Sequence, residues 1–191
     1  MANLVYGSNY HIQNGFGEWT GGFLDTRGRG CEDNFLCVST AAGFDRASGS
    51  GTWQLLSATG KETGATVMPN DLVYLLNQYG GNGGFLDTRG RGCEDNLLCV
   101  STAESSNRDG GSGTWRIFTD TDGEVGENQT VHLLNGYDDF KGGFLDTRGR
   151  DCESNLLCVS TTCGWNRDSG STLWRFFSHH DPFLTENFSA A

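Results

Sequence analysis

Proline is nearly absent from this chain of 191 residues, which has 2 prolines beside 29 glycines. No run of 18 apolar residues occurs, so a membrane-spanning helix is not expected. The first residues, Met1 to Tyr6, lack the basic and apolar segments of a signal peptide. The sequence therefore predicts a soluble protein without membrane insertion, either cytoplasmic or secreted by a route that needs no leader.

Basic residues are also scarce. Lysine and arginine number 13 against 24 aspartates and glutamates, giving a formal net charge of −11. Nucleic acids and anionic lipid surfaces bind proteins through lysine and arginine, which neutralise their phosphates. A chain with this charge is a poor candidate for either partner.

The motifs of common catalytic sites are missing as well. The sequence contains no G-x-S-x-G, H-E-x-x-H or phosphate-binding loop. Its four histidines lack the spacing of metal ligands, and a glycosidase uses one asymmetric pair of carboxylates rather than repeated sites. The acidic stretch from Asp120 to Glu124 is read as a turn, because it does not complete a calcium loop. We therefore expect that the protein is not an enzyme and that it needs no cofactor.

What the chain does contain is one unit written three times. The segment GGFLDTRGR recurs, and its aspartate returns after 62 and then 59 residues. Recurrence of whole units indicates a repeat architecture, and no linker separates the units. We expect a single domain, 1–191, with repeats at about 3–58, 65–119 and 125–178 and a tail at 179–191. The copies of the segment are Gly21–Arg29, Gly83–Arg91 and Gly142–Arg150.

Each repeat has the pattern of four short strands. Apolar residues alternate with other residues before the recurring segment. They alternate again from a tryptophan that occurs once at the same place in each repeat, as in Trp53-Gln54-Leu55. Glycine-rich stretches such as Arg27 to Asn34 predict tight turns between the strands. The expectation is an all-β protein of twelve strands, with Trp53, Trp115 and Trp174 in the core.

Six of the seven cysteines form three C-x5-C pairs. The sequence leaves two interpretations open, a local disulfide in each repeat or paired buried thiols. A zinc site is disfavoured because further Cys or His ligands are missing. Cys163 has no counterpart and is expected as a free thiol. The possible disulfides are Cys31–Cys37, Cys93–Cys99 and Cys152–Cys158.

Twelve strands in three four-stranded units resemble the β-trefoil fold. The tryptophans followed two residues later by Leu55, Ile117 or Phe176 are similar to the Gln-x-Trp signature of ricin-type lectins, although Gly-Thr or Thr-Leu stands before Trp here. The repeated Leu-Asp-Thr-Arg resembles the Leu-Asp-Val-Arg of those lectins, where a sugar-binding carboxylate lies. The resemblance implies pseudo-threefold symmetry, with a six-stranded barrel capped by three hairpins.

Asp25, Asp87 and Asp146 are the main candidates for sugar binding. Each follows a phenylalanine by two residues, so a carboxylate and an aromatic ring share one strand face, as sugar sites need. The resemblance adds the loop residues Asp45, Asn107 and Asn166. Alternatively, each aspartate caps the following turn or pairs with a neighbouring arginine.

Arginine and tryptophan residues complete the candidate site. Arg27, Arg89 and Arg148 could donate to sugar hydroxyls or an acidic sugar, but they could equally pair with Glu32, Glu94 and Glu153. The asparagines Asn14, Asn77 and Asn135 could bind ligand or fix a turn. Trp165, in a loop of the third repeat alone, could stack on a sugar ring.

These observations favour a multivalent carbohydrate-binding lectin with up to three homologous sites and with glycans or glycoproteins as partners. The protein is expected as a monomer or small homo-oligomer. Two alternatives stay open: a trefoil protease inhibitor, which would need one protruding reactive loop, and a non-catalytic structural or protein-interaction trefoil.

Overall fold

A computed structural model describes residues 2–31, 34–93, 96–152 and 155–188 of the chain. Its described residues form twelve strands and only short helical segments, so the protein is all-β with few helices. No helix among them is long and apolar enough to cross a membrane. The strands are β1 Asn9–Asn14, β2 Phe23–Cys31, β3 Asn34–Ala41, β4 Trp53–Ser57, β5 Leu72–Asn77, β6 Gly84–Cys93, β7 Asn96–Ala103, β8 Trp115–Phe118, β9 His132–Asn135, β10 Phe144–Cys152, β11 Asn155–Thr162 and β12 Trp174–Ser178.

The first and fourth strands of the repeats close into a ring. Antiparallel pairs join β1 to β12, β4 to β5 and β8 to β9. Shorter pairings join β1 to β4 and β5 to β8, and a bridge between Val131 and Trp174 connects the remaining two strands. Alternate residues of these strands point inward, as Tyr10 and Ile12 do, and are buried. This ring encloses the main core.

The second and third strands form three hairpins that meet at one end of the ring. The hairpins are β2–β3, β6–β7 and β10–β11, and β3, β7 and β11 also contact one another. The ring and its three-hairpin cap match the arrangement that the trefoil resemblance implies. Because the third strands meet at one centre, side chains of each repeat lie beside those of the next.

The turn predicted from Arg27 to Asn34 is shorter than expected. Strand β2 continues to Cys31, and its register against β3 shifts between Thr26 and Gly30. Four positions along β2 are matched there by two along β3, which is a β-bulge rather than a turn. Since a bulge adds residues while both strands stay paired, a glycine-rich stretch can lie within a strand.

The three repeated tryptophans lie in the core, as predicted. Trp53, Trp115 and Trp174 are each 0% exposed. Their indole Nε1 atoms donate to the carbonyl oxygens of Leu24, Leu86 and Leu145 at 2.8 to 2.9 Å. Each bond ties the fourth strand of a repeat to its second strand and satisfies a polar group that burial would otherwise leave unpaired.

The C-terminal tail is docked through a short helix at Pro182–Asn187. Asp181 caps the helix by accepting from the Phe183 amide at 2.9 Å. Leu184 is buried against Phe23, Phe44 and Phe177. This segment has no counterpart in the other repeats, so its docking could not be predicted from them.

Acidification is expected to undock this tail. His11 is fully buried, and its Nε2 lies 2.9 Å from Nδ1 of His179 while its Nδ1 lies 3.0 Å from the Gly51 carbonyl. Burial lowers the pKa of His11, and nearby His179 lowers it further, against the raising effects of the Gly51 carbonyl and Asp45. Docking therefore favours neutral His11, so it is complete above the ordinary pKa of about 6.5 and weakens as the pH falls below that value.

Hydrogen exchange at the amides of Leu184 and Phe188 measures the undocking. Their protection, corrected for intrinsic exchange rates, should fall between pH 7.5 and pH 5 while the barrel amides stay protected. A His180→Ala variant serves as the control, because His180 is exposed. Tail protection that does not change with pH would contradict the role given to His11.

Candidate functional site

The repeated aspartates are buried instead of open to solvent. Asp25 is 0% exposed, and its Oδ2 accepts from Nε of Arg46 at 3.1 Å. The same oxygen accepts from Nδ2 of Asn155, in the third repeat, at 2.8 Å. The carboxylate thus joins a loop of its own repeat to a strand of the neighbouring one.

The other two repeats contain the same arrangement. Asp87 accepts from Arg108 at 3.1 Å, from Asn34 of the first repeat at 3.2 Å and from the Ser112 hydroxyl at 2.7 Å. Asp146 accepts from Arg167 at 2.8 Å and from Asn96 of the second repeat at 2.7 Å. The three carboxylates therefore connect the repeats in a cycle.

Direct contact between these carboxylates and a sugar, as predicted from the sequence, does not fit this geometry. Asp25, Asp87 and Asp146 have no exposed surface. Phe23, which was expected to cover a sugar ring beside Asp25, is also fully buried. The alternative that the aspartates pair with arginine is the one observed, but the partner comes from the loop before the fourth strand rather than from the adjacent Arg27.

Burial makes these carboxylates sensitive to their partners. Desolvation raises the pKa of Asp25 and Asp87, and hydrogen bonds from serine, arginine and asparagine act in the opposite direction. The stability of a buried carboxylate depends on its hydrogen-bond and ion-pair partners. Removing one of these partners leaves an uncompensated charge in a region of low dielectric.

The arginine partners reach the surface. The side chains of Arg46, Arg108 and Arg167 are 39%, 35% and 31% exposed. In each, Nε contacts the aspartate and Nη2 donates to a threonine carbonyl, at 3.0 Å for Thr26 and Thr88 and 2.7 Å for Thr147. Among the described residues, no acceptor lies within hydrogen-bonding distance of Nη1 in these three arginines. Two fixed N–H donors per repeat therefore remain for a ligand.

The asparagine partners supply a complementary acceptor. Nδ2 of Asn155 donates to Asp25 and, at 2.9 Å, to the Ser39 hydroxyl, so both amide hydrogens are used. Asn34 and Asn96 use theirs in the same way on Ser101 and Ser160. All three asparagines are half-buried, and within the described part of the chain no donor bonds to their Oδ1 atoms. Each junction between repeats thus offers a donor pair and an acceptor.

A cleft lies at each of the three junctions. We name them by the repeats they join: cleft 1–2, cleft 2–3 and cleft 3–1. Their cavity volumes are about 570, 350 and 510 Å³ respectively. Cleft 1–2 is lined by Asn34, Phe35, Glu104, Ser105 and Arg108. Cleft 2–3 is lined by Asn96, Leu97, Thr162 and Cys163. Cleft 3–1 is lined by Ala41, Ala42, Gly43, Arg46, Asn155, Asn187 and Phe188.

The loop residues predicted for sugar binding act mainly within their own loops. Oδ1 of Asp45 accepts from the amides of Gly49 and Gly51 at 3.1 and 3.4 Å. Oδ1 of Asn107 accepts from the Gly111 amide at 2.9 Å. Asn166 is exposed. The first two residues therefore shape the loop that carries the adjacent arginine.

The asparagines on the first strands fix turns. This is one of the two roles predicted for them, the other being ligand binding. Oδ1 of Asn14 accepts from the Phe16 amide at 3.1 Å, and its Nδ2 donates to the Ser171 carbonyl at 2.8 Å. Asn77 and Asn135 are equally buried and bond in the same pattern. They belong to the scaffold.

Arg27, Arg89 and Arg148 lie away from the clefts. They surround a cavity of about 60 Å³ where the hairpins meet, together with cysteine side chains. The ion pairs predicted for them involve Glu32, Glu94 and Glu153, which lie outside the described residues. Because they lie on the second strand of each repeat, they point to this centre. Arg46, Arg108 and Arg167, in contrast, reach the surface at the junctions between repeats.

Cysteines from all three C-x5-C pairs meet around the same cavity, namely Cys31, Cys37, Cys93, Cys99 and Cys158. Cys31, Cys37, Cys93 and Cys99 are thiols in this structure. Burial, together with the hydrogen bond that each thiol donates to its paired cysteine, Cys37 or Cys99, raises the pKa of Cys31 and of Cys93 to about 12. No group of three potential ligands in the described part of the chain is placed to hold a metal ion. Disulfide formation stays a prediction, and the Cys152 side chain lies outside the described residues.

Trp165 belongs to an aromatic patch on the third repeat. Its side chain is 46% exposed, and its ring lies 3.9 Å from His132 and 5.2 Å from Phe144, measured between centroids. The first repeat has Phe44 at this position, which is only 7% exposed. The exposed Trp165 ring therefore distinguishes the surface of the third repeat from that of the first, and its stacking on a sugar stays a prediction.

Sequence analysis missed the exposed arginines and their asparagine neighbours. A signal was present, because Arg46, Arg108 and Arg167 recur after Asp45, Asn107 and Asn166, and an asparagine starts each third strand. What the sequence lacks is any indication that an asparagine of one repeat meets the arginine of the next.

No protein-family model matches this chain, and no curated protein sequence matches it. Solved structures do resemble it. A Caenorhabditis elegans protein with unknown function has a TM-score of 0.75 at 16% identity, covering 92% of this chain and 96% of its own. ThreeFoil, a designed 3-fold symmetric protein, has a TM-score of 0.58 at 16% identity, covering 89% and 98%.

The botulinum neurotoxin serotype D binding domain resembles the chain as well. Its TM-score is 0.66 at 12% identity, and the alignment covers 94% of this chain and 44% of the toxin domain. The neighbouring structures include β-trefoil proteins. At these identities the likeness concerns the fold alone, and it supports a trefoil fold for this chain.

Proposed function

We propose that this protein is a multivalent, non-catalytic carbohydrate-binding β-trefoil, similar to ricin-type lectins in architecture and different from them in its site. One observation supports the proposal above all. In each repeat, the guanidinium group of an arginine faces solvent beside the side-chain oxygen of an asparagine, which can accept a hydrogen bond. The proposed partners are glycans or glycoproteins, bound at the clefts between repeats without a cofactor.

The chemistry of the clefts suits a sugar. An arginine and an asparagine line clefts 1–2 and 3–1, and at cleft 2–3 Asn96 lines the cleft while Arg167 bonds to the same carboxylate, Asp146. A hydroxyl group both donates and accepts hydrogen bonds, so it can accept from Nη1 of an arginine and donate to Oδ1 of an asparagine. The buried aspartate orients the guanidinium, which reduces the entropy lost when a ligand binds. Sugars also present C–H faces, and Phe35 in cleft 1–2 and Leu97 in cleft 2–3 provide apolar surface.

Three clefts around one axis would give multivalent binding. Single hydroxyl-recognition sites are weak, whereas several sites on one rigid body raise the apparent affinity for a surface that displays many glycans. The half-exposed guanidiniums are already paired with carboxylates, so each cleft offers directional donors without a large net charge. Trp165 offers an additional stacking surface outside the cleft linings.

A glycan array tests the proposal. The native chain should bind a subset of printed glycans, and free monosaccharide should compete only at much higher concentration than the multivalent glycan. Absence of binding to every glycan on a broad array of neutral and sialylated structures would count against a carbohydrate-binding function.

A further inference from the structure

Cleft 3–1 differs from the other two because the C-terminal tail contributes to it. Asn187 and Phe188 line this cleft beside Arg46 and Asn155. Cleft 1–2 has Glu104 and Ser105 where cleft 3–1 has Ala42 and Gly43, as the repeat alignment shows. Among the described residues that line cleft 3–1, Arg46 is therefore the only charged one, and Phe188 places an aromatic ring at the edge of the cleft.

The tail is held in this position by aromatic contacts. The ring of Phe188 lies 5.0 Å from that of Phe23 in an edge-on arrangement, and the ring of Phe183 stacks on Phe177 at 5.4 Å. Leu184 is 1% exposed within the same apolar cluster. Together with the contact between His11 and His179, these contacts give Phe188 a defined place at the cleft.

The tail borders the cleft without closing it. Arg46 keeps a side-chain exposure of 39%, compared with 35% for Arg108 and 31% for Arg167, whose clefts lack the tail. A segment that blocked the cleft would bury this guanidinium. The cavity also keeps a volume of about 510 Å³. The tail is a wall of this cleft rather than a lid over it.

We infer that the C-terminal segment 179–188 makes cleft 3–1 the principal and most selective of the three sites, with Phe188 as a specificity-determining residue. This inference rests on the proposed function. The ligand class is a terminal pyranose whose apolar face packs against Phe188 while its hydroxyls meet Arg46 and Asn155. The small residues Ala41, Ala42 and Gly43 leave room for the ring.

Cleft 1–2 and cleft 3–1 also differ in charge. Glu104 at cleft 1–2 repels a carboxylated sugar, whereas the described residues that line cleft 3–1 include no acidic side chain. Cleft 1–2 also has an aromatic residue, Phe35, so cleft 3–1 is distinguished from it by the tail residues and by the lack of a described acidic neighbour. The other two clefts add avidity once the principal cleft has bound.

Phe188→Ala tests this inference on the same printed glycan array. Truncation of the ring is expected to lower the apparent affinity for the glycans bound by the native chain by about tenfold, as loss of one aromatic contact and its apolar area implies. Phe188→Trp retains an aromatic wall and should restore binding. Thr185→Ala is the matched control, since Thr185 is exposed on the same helix and does not line the cleft.

The outcomes separate this inference from the function on which it rests. If the native chain binds glycans and Phe188→Ala binds them equally or more strongly, the wall is rejected and the lectin function stands. If the native chain binds no glycan, both fail. A selective loss in Phe188→Ala, with Thr185→Ala and Phe188→Trp like the native chain, supports the inference.

Discussion

Asp87→Ala is expected to lower the free energy of unfolding by about 3 kcal/mol, near the lower end of the cost of breaking a buried ion pair. The substitution removes the acceptor of Arg108, Asn34 and Ser112 together. It leaves a partly buried guanidinium without its carboxylate and separates two repeats that the carboxylate connects. The exposure of Arg108, at 35%, lets water offset part of the cost.

Urea denaturation monitored by tryptophan fluorescence measures this loss. Asp109→Ala is the matched control, because Asp109 is exposed and, among the described residues, only its backbone atoms form hydrogen bonds. Its effect should stay within about 0.5 kcal/mol. A loss below about 1 kcal/mol for Asp87→Ala would mean that the carboxylate does not hold the repeats together.

Replacing Arg46, Arg108 and Arg167 together by lysine is expected to reduce the apparent affinity for a multivalent glycan surface by about a hundredfold or more, since three weakened sites act together. Lysine keeps the positive charge near the buried carboxylate. It lacks the planar fork, so it cannot bond to the aspartate and present a second pair of fixed donors at once. The loss should therefore be one of binding more than of folding.

Surface plasmon resonance on immobilised fetuin, with circular dichroism to check the fold, provides the measurement. Arg116→Lys is the control, because Arg116 stacks on Phe140 at 3.8 Å, whereas the three replaced arginines each bond to a buried aspartate. Should the folded triple variant bind a glycan surface as tightly as the native chain, the clefts could not be the binding sites.

The scaffold could be predicted from the sequence because its signals are local and repeated. Alternation of apolar residues, a recurring tryptophan and copies of one segment together indicate twelve strands in three units. The β-bulge after Thr26 was missed, since glycine-rich sequence is typical of both turns and bulges. The tail helix was missed as well, because its docking depends on an aromatic cluster that forms only after folding.

The site was harder to predict because its parts are distant in the chain. Asp25 and Arg46 are 21 positions apart, and Asp25 and Asn155 are 130 positions apart. Repetition identified the aspartate as important but did not distinguish a ligand from a structural connection, since duplication copies both. Only the packing of one repeat against the next shows that the carboxylate is enclosed and that its arginine partner faces solvent.

Arginine side-chain NMR shows whether the guanidinium groups of the three clefts contact a bound glycan. Proton–nitrogen spectra of the guanidinium groups should be recorded while the strongest-binding glycan from the array is added. Our account predicts that the resonances of Arg46, Arg108 and Arg167 shift with saturation, Arg46 at the lowest concentration, while those of Arg116 stay in place. Saturable shifts at the Trp165 indole with the three cleft arginines unchanged would contradict it.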